Sequence, residues 1–298
     1  MFYRKKILLN LLNAFGGRLN KISFIKLLFL FSVPDEARAR PYYEFVPYDY
    51  GAFSFTADSD INGMKRDGII DEDVASKEFL LKYFDKRFYR ITDGDSEKIE
   101  NLYQNFHDKN CWDLIKTTYQ LYPYYAKNSK IRKYITKQIQ SKIKKIVSDN
   151  SKTILFDIGY EGKSLEAYLN LLIKNNIKTL IDVRKNPVSM KYGFSKNLLT
   201  ARTSDLGIEY THLPELGIES EKRQSLSSFE DYQNLFSNYE AKNLRQNTES
   251  NKNNYNIVMK NKKDALTCFE ADKNYCHRYR IVNYMNDIYP HKFEVVHL

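Results

Sequence analysis

The sequence predicts an α-rich domain followed by a three-layer α/β domain built on a parallel sheet. Two patterns predict it. Residues 1–126 carry helical apolar stripes with glycines at their ends, whereas residues 152–298 alternate short apolar strands with amphipathic helices. Between them, residues 127–151 read as one basic amphipathic bridging helix and a linker.

In the first domain Ile7, Leu8, Leu11, Leu12 and Phe15 form a stripe over 3–15, and Gly16-Gly17 ends it. Leu27, Leu28 and Phe31 mark a second helix over 21–31 that stops before Pro34. Tyr42–Pro47 reads as extended, since the residue before a proline is held out of the helical region. Ser54 can cap a third helix running through Ile61 and Met64 to Asp67, with Gly68 at its end. Ile69-Ile70 and Phe88–Thr92 then read as two extended segments, and two more helices follow over roughly 95–109 and 111–121. Three helices followed by two short extended pieces give the outline of a winged helix. The run Tyr43–Pro47, Tyr48, Tyr50-Gly51-Ala52-Phe53-Ser54, followed one helix later by Asp67-Gly68-Ile69-Ile70, resembles the start of winged-helix-like domains in prokaryotic defence and toxin–antitoxin proteins. That resemblance covers about the first third of the chain. It implies a macromolecule-binding module, its partner being DNA or protein.

Ile131, Ile135, Ile139 and Ile143 form a narrow stripe on the bridging helix. From Lys127 to Lys145 there are eight basic residues and no acidic one. Lys130, Arg132, Lys133, Lys137, Lys144 and Lys145 are therefore the expected contacts to nucleic-acid phosphates. The plainer reading is a solvated face above a packed stripe, although such faces usually mix charge signs.

Composition sets the outer limits. At 298 residues with 42% hydrophobic and 28% charged residues, the chain can bury two cores and is not a disordered one. Its net charge of +10 favours polyanions. The sequence shows no secretory pattern and no apolar run of membrane-spanning length, so a cytoplasmic protein with free thiols at Cys111, Cys268 and Cys276 is expected, without a membrane partner. The 24 Tyr and 18 Phe serve as core filler or as stacking surfaces.

In the second domain Thr153–Ile158 is a strand ending in Gly159-Tyr160-Glu161-Gly162, and Ser164 caps a helix through Leu165, Tyr168, Leu169 and Leu172. Thr179–Val183 is a second strand, which makes a βαβ unit and hence a parallel pair. Asn256–Met259 and Ala265–Cys268 read as further extended pieces, Arg278–Asp287 as a late helix and Phe293–His297 as a closing strand. Residues 237–253 read as a mobile or helical insertion.

Strand ends of a parallel sheet share one edge, so Gly159 and Tyr160, Asp182 with Arg184 and Ser189, and Cys268 with Glu270 are expected around one crevice, rimmed by Tyr192, Phe194, Tyr210 and His212. Cys276, His277 and Arg278 start the next helix beside it. Arg184 and Arg278 offer forked donors for a phosphate or a base edge, while Glu270, Asp182 and Cys268 are the candidate catalytic groups. The competing reading is an internal Asp/Glu–Arg network that only holds strand ends together. Cys268, Cys276 and His277 have a spacing zinc could use, but neighbouring helical side chains point apart and no second Cys pair is present. No metal and no cofactor are expected.

Ile158–Glu161, Asp182-Val183-Arg184 with Pro187 and Ser189, Phe194-Ser195, Gly207–Tyr210 with His212–Pro214 and Leu216-Gly217, and Cys268-x-Glu270 with Cys276-His277-Arg278 resemble, in that order, the DUF488 family. The resemblance spans the second half and implies a Rossmann-like α/β fold with a strand-end site. It names no reaction. The expectation is a nucleic-acid-associated protein, with DNA as the expected partner, whose second domain recognises a nucleotide or a base, modified or not; the resemblances imply a phage-defence or genome-conflict setting. Two alternatives stand: an enzyme acting on glycosidic or phosphate bonds of a nucleotide or modified base, with Glu270 as general acid/base or nucleophile and Arg184 and Arg278 as charge clamps, and an antitoxin-like protein-binding regulator. A homo-oligomer is compatible with each.

Overall fold

Two units divide the chain, Met1–Val147 and Ser148–Leu298. The structure is a computed structural model that describes residues 1–33, 41–131, 135–144, 152–223 and 226–298.

The first unit is built around α2 (Lys21–Ser32), a helix apolar on almost every side and therefore enclosed. Asn20 caps it by accepting from the Ile22 and Ser23 amides. Around it lie α1 (Tyr3–Ala14), α3 (Phe55–Arg66, capped by Ser54), α4 (Asp93–Phe106) and α5 (Cys111–Leu121). A three-stranded antiparallel sheet, order β1-β5-β4, is made from β1 (Arg18–Asn20), β4 (Ile70–Asp73) and β5 (Glu78–Leu81). The hairpin β2 (Val46–Tyr48) and β3 (Gly51–Phe53) completes it. Phe29 gathers Phe45, Tyr122 and Tyr125 at centroid distances of 5.1, 5.2 and 4.6 Å, an edge-on aromatic core.

One sequence expectation shifts here. The second extended segment is Glu78–Leu81, not Phe88–Thr92, which is turn and coil. The hairpin that makes it closes where Asp73 accepts from the Ala75 and Ser76 amides, and Lys77 takes a left-handed φ of 57°. Helix α6 (Lys137–Lys144) buries Ile135, Ile139 and Ile143 with Ile115, Tyr119 and Ala126, so this stretch packs into the first unit.

The second unit is a five-stranded parallel sheet flanked by helices, in the order β10-β6-β9-β7-β8. Its strands are β6 (Ile154–Gly159), β7 (Thr179–Asp182), β8 (Glu209–His212), β9 (Lys263–Cys268) and β10 (Glu294–His297). The helices are α7 (Leu165–Lys174), α8 (Lys196–Asp205), α9 (Phe229–Tyr239), α10 (Thr248–Asn261) and α11 (His277–Ile288). Strands β6, β9 and β7 are buried along their length, as central parallel strands must be. Asn256–Met259 is helical, not extended: Asn251, Asn254 and Val258 form a buried stripe at three- and four-residue steps. The insertion around 237–253 is helical as well, running from α9 through a π turn at Glu240–Leu244 into α10.

Register then places the site. Gly159 lies opposite Cys268, and Asp182 lies opposite Thr267, so the ends of β6, β9 and β7 meet at one sheet edge.

Candidate functional site

A cavity of about 290 Å³ opens at that edge, lined by Tyr160, Arg184, Asn186, Ser189, Arg223, Cys268, Phe269 and His277 among others. Gly159 lets the two central loops meet. A methyl group there would lie 1.8 Å from the Glu270 carbonyl oxygen, so only glycine admits the loop after β9.

One wall is an internal network. Arg184, 6% exposed, donates from Nε and Nη2 to Asp182 and from Nη1 to the Tyr160 hydroxyl at 2.9 Å and the Phe194 carbonyl at 2.8 Å. Asp182 is fully buried and also accepts from the Tyr210 hydroxyl at 2.6 Å. Burial, and then the Asp182 charge, push that hydroxyl well up. Tyr160 stacks on Phe194 at 4.3 Å. His212 stands beside the cavity's edge, its Nε2 donating to the Arg184 carbonyl at 2.9 Å and its Nδ1 facing the Lys196 ammonium at 3.1 Å. Ser189 lines the cavity and holds its loop, accepting on Oγ from the Lys191 amide at 3.1 Å.

Arg278 is turned inward too. It is 1% exposed, ion-pairs with Asp157 and donates to the Glu270 carbonyl at 2.6 Å. Both guanidinium groups are engaged within the protein, as the competing internal-network reading expects, Arg184 by Asp182, the Tyr160 hydroxyl and the Phe194 carbonyl and Arg278 by Asp157 and the Glu270 carbonyl, while Arg184 still lines the cavity. Asp182 is likewise sequestered from anything entering the cavity.

The floor is different in kind. Arg223, in the 3₁₀ turn after Gly217, donates to Glu270 Oε1 at 2.5 Å and to His277 Nδ1 at 2.7 Å. His277 donates from Nε2 to the Val183 carbonyl at 2.9 Å, which leaves the Nδ1 lone pair facing Arg223. Cys268 Sγ donates to Glu270 Oε2 at 3.2 Å and lies 3.8 Å from His277 Nδ1. Burial raises the Glu270 carboxyl, and negative charge on Cys268 adds to it against the pull of Arg223. Burial also opposes ionisation of Cys268, but the Cys276 hydrogen bond, His277 and Arg223 outweigh it and hold that thiol well below its ordinary range. Cys276 moves the other way: burial and its bond to Cys268 push it well up. The carboxyl and the two thiols thus divide their protons under one guanidinium.

Cys276 and His277 do not point apart. Cys276 is the N-cap of α11 with φ −126° and ψ 136°, so the helical 100° step between neighbours does not apply to it. Ligand atoms of Cys268, Cys276 and His277 lie within 4.8 Å of one another, a donor set of the right kind for a soft cation. The Arg223 N–H points into the same Nδ1 lone pair, so guanidinium and metal exclude one another at that atom.

Arg223 is the functional residue that sequence reasoning missed. It sits in the polar stretch 219–228, where neither strand nor helix periodicity marks it, and a reading by strand ends could not reach it. Of the basic residues expected to touch phosphate, Lys130 pairs with Asp49 at 2.6 Å and Lys137 is exposed. Arg132, Lys133 and Lys145 lie outside the described residues, as does the side chain of Lys144. Among the described residues, no helix is long and apolar enough to cross a membrane.

No curated protein and no solved structure matches the chain. Residues 164–285, which hold Arg184, Arg223, Cys268, Glu270 and His277, match the family described as Domain of unknown function DUF488. The second half of this chain carries a DUF488 domain.

Proposed function

We propose that the DUF488 domain binds a nucleobase or nucleotide in the strand-end cavity, within a protein that engages nucleic acid through its first unit. The observation that carries this is Arg223, which lines a cavity bounded by the Tyr160 and Phe269 rings and is paired with the neighbouring Glu270. On binding, Arg223 would exchange its bonds to Glu270 and His277 for the ligand, and its donors with the released carboxylate are the complement of a base edge. Tyr160 and Phe269 bound the cavity, and Val188, Met190 and Phe269 are 81%, 102% and 44% exposed at its rim, apolar faces on which a ring can stack. In the first unit, the order α1, β1, α2, β2, β3, α3, β4, β5 is compatible with a winged helix that carries the β2–β3 hairpin as an insertion, and exposed Lys137 and Lys142 on α6 add positive charge. A genome-conflict or phage-defence role rests on this combination.

The test titrates the full chain with nucleosides, nucleotides and oligonucleotides across salt concentrations. Saturable nucleotide binding that is lost in Arg223→Ala supports the cavity assignment; binding indifferent to Arg223 removes it. Absence of oligonucleotide binding at low salt removes the nucleic-acid claim.

A second reading has its own observation. Glu270 is a half-buried carboxyl whose proton affinity is raised, beside the Cys268 thiol and next to the cavity-lining Arg223. That is the condition of a general acid working near neutral pH, and it fits hydrolysis of a nucleotide's glycosidic bond. Turnover abolished in Glu270→Gln, with nucleotide binding kept, supports it; unchanged turnover removes Glu270 from the chemistry.

A further inference from the structure

The first unit holds a cavity of its own, about 230 Å³, between α2, the β2–β3 hairpin, α3 and β4–β5. Its walls are mostly apolar: Ile22, Ile25, Ala52, Phe53, Ile61 and Phe79. Lys26, in the middle of α2, lines it and is 1% exposed. Its ammonium nitrogen donates to the Ala52 carbonyl at 3.2 Å, and among the described residues no carboxylate pairs with it. Gly51 brings the hairpin close: a methyl there would lie 3.0 Å from Lys26 Nζ and 2.4 Å from the Tyr119 ring. Three acidic groups line the rim and none pairs with Lys26 among the described residues: Glu72 is held by Lys21 and Lys65, Asp49 by Lys130, and Asp58 accepts from the Asn62 side-chain amide at 3.1 Å.

A buried ammonium with no counter-ion is costly, and a chain that keeps one in its central helix needs a reason. Burial pushes the Lys26 amine down to about 7, with charge on Cys111 acting weakly against it. The space beside it is smaller than a typical drug-sized pocket and matches a ligand of about one ring.

We propose that this cavity is a binding site for a small aromatic carboxylate, whose ring occupies the apolar space and whose carboxylate becomes the counter-ion of Lys26. It is independent of the DUF488 site and would make the first unit a sensor of an acidic metabolite. The ligand's charge would then be met by a protonated Lys26 at a point where water is excluded, which is where an ion pair with good geometry gains most.

Benzoate is the probe and benzamide its uncharged counterpart, titrated calorimetrically into the full chain. The expected result is one saturable benzoate site per chain, with benzamide at least about tenfold weaker and Lys26→Met weakening benzoate at least about tenfold. Methionine suits an apolar helix, so that variant should fold; the benzamide comparison on the unaltered protein needs no variant. Equal affinity for the two probes, benzoate binding unaffected by Lys26→Met, or no saturable binding would each overturn the proposal.

Discussion

The guanidinium of Arg223 lies 2.7 Å from Nδ1 of His277, a ring whose other nitrogen is tied to the Val183 carbonyl. A guanidinium only donates, so this contact fixes the imidazole as an acceptor and aims positive charge at Cys268 and Glu270. Removing that charge has a readable effect. In Arg223→Gln the pH midpoint for alkylation of Cys268 by iodoacetamide should rise, since the Arg223 charge adds to the Cys276 hydrogen bond and to His277 in holding that thiol down. An unchanged midpoint would show that Arg223 does not set the charge of the floor.

The pair Arg278–Asp157 is the structural counterpart, with side-chain exposures of 1% and 0%. Asp157 also contacts His297 Nδ1 at 2.9 Å, which ties β10 to β6. Asp157→Ala leaves the buried Arg278 cation with carbonyl partners but no counter-charge and should cost about 3–5 kcal/mol by denaturant unfolding. Replacing both partners by Leu and Met should recover most of that loss, because an apolar pair has no charge to desolvate. Equal destabilisation in the single and double variants would mean that Arg278 has another essential partner.

What the sequence made legible follows from how local each signal is. The end of β9 and its Cys268 and Glu270 were readable, because a short apolar run followed by polar groups marks a strand terminus without distant information. The Asp182–Arg184 pairing was readable as proximity but not as purpose: two residues apart, they close on one another and leave no fork for a ligand. Residues 256–259 misled because Ile257 and Val258 are β-branched, while the buried stripe that makes them helical includes Asn251 and Asn254, residues no apolar count would score. Strand β5 was missed because its turn uses Lys77 in a left-handed conformation where glycine or asparagine would have announced it. Arg223 reaches the floor from a different loop, and only the folded chain brings it within reach of His277.

Asp264 makes stability depend on pH in a predictable direction. It is fully buried on β9, burial raises its carboxyl to about 7, and its Oδ2 has no partner among the described residues. An unfolded aspartate loses its proton near pH 4, roughly. From there up to about 7 the folded chain keeps a proton that the unfolded chain has released, so stability falls as pH rises and the penalty is complete above that value. At roughly 1.4 kcal/mol per pH unit, the full penalty is bounded at about 4 kcal/mol. Asp264→Asn should therefore stabilise the protein at alkaline pH and flatten its melting temperature across the acidic range. A variant with the same pH profile as the parent would show that Asp264 titrates normally.

The nucleic-acid reading stands or falls on salt dependence. Lys137 and Lys142 are exposed on α6, while the stripe Ile135, Ile139 and Ile143 on the same segment is buried, so replacing both lysines leaves the packing intact. If both touch phosphates, each releases about one counterion on binding, and the double variant Lys137→Gln, Lys142→Gln should reduce the slope of log K against log salt by about 2. Its melting temperature should not change, because exposed lysines that pair with no carboxylate among the described residues contribute little to stability. A weakened affinity with an unchanged slope would place these lysines away from the phosphates. An unchanged affinity and slope would make α6 an ordinary packed helix whose outer face is merely solvated, and the nucleic-acid contact would have to be sought on α3 and the β4–β5 hairpin instead.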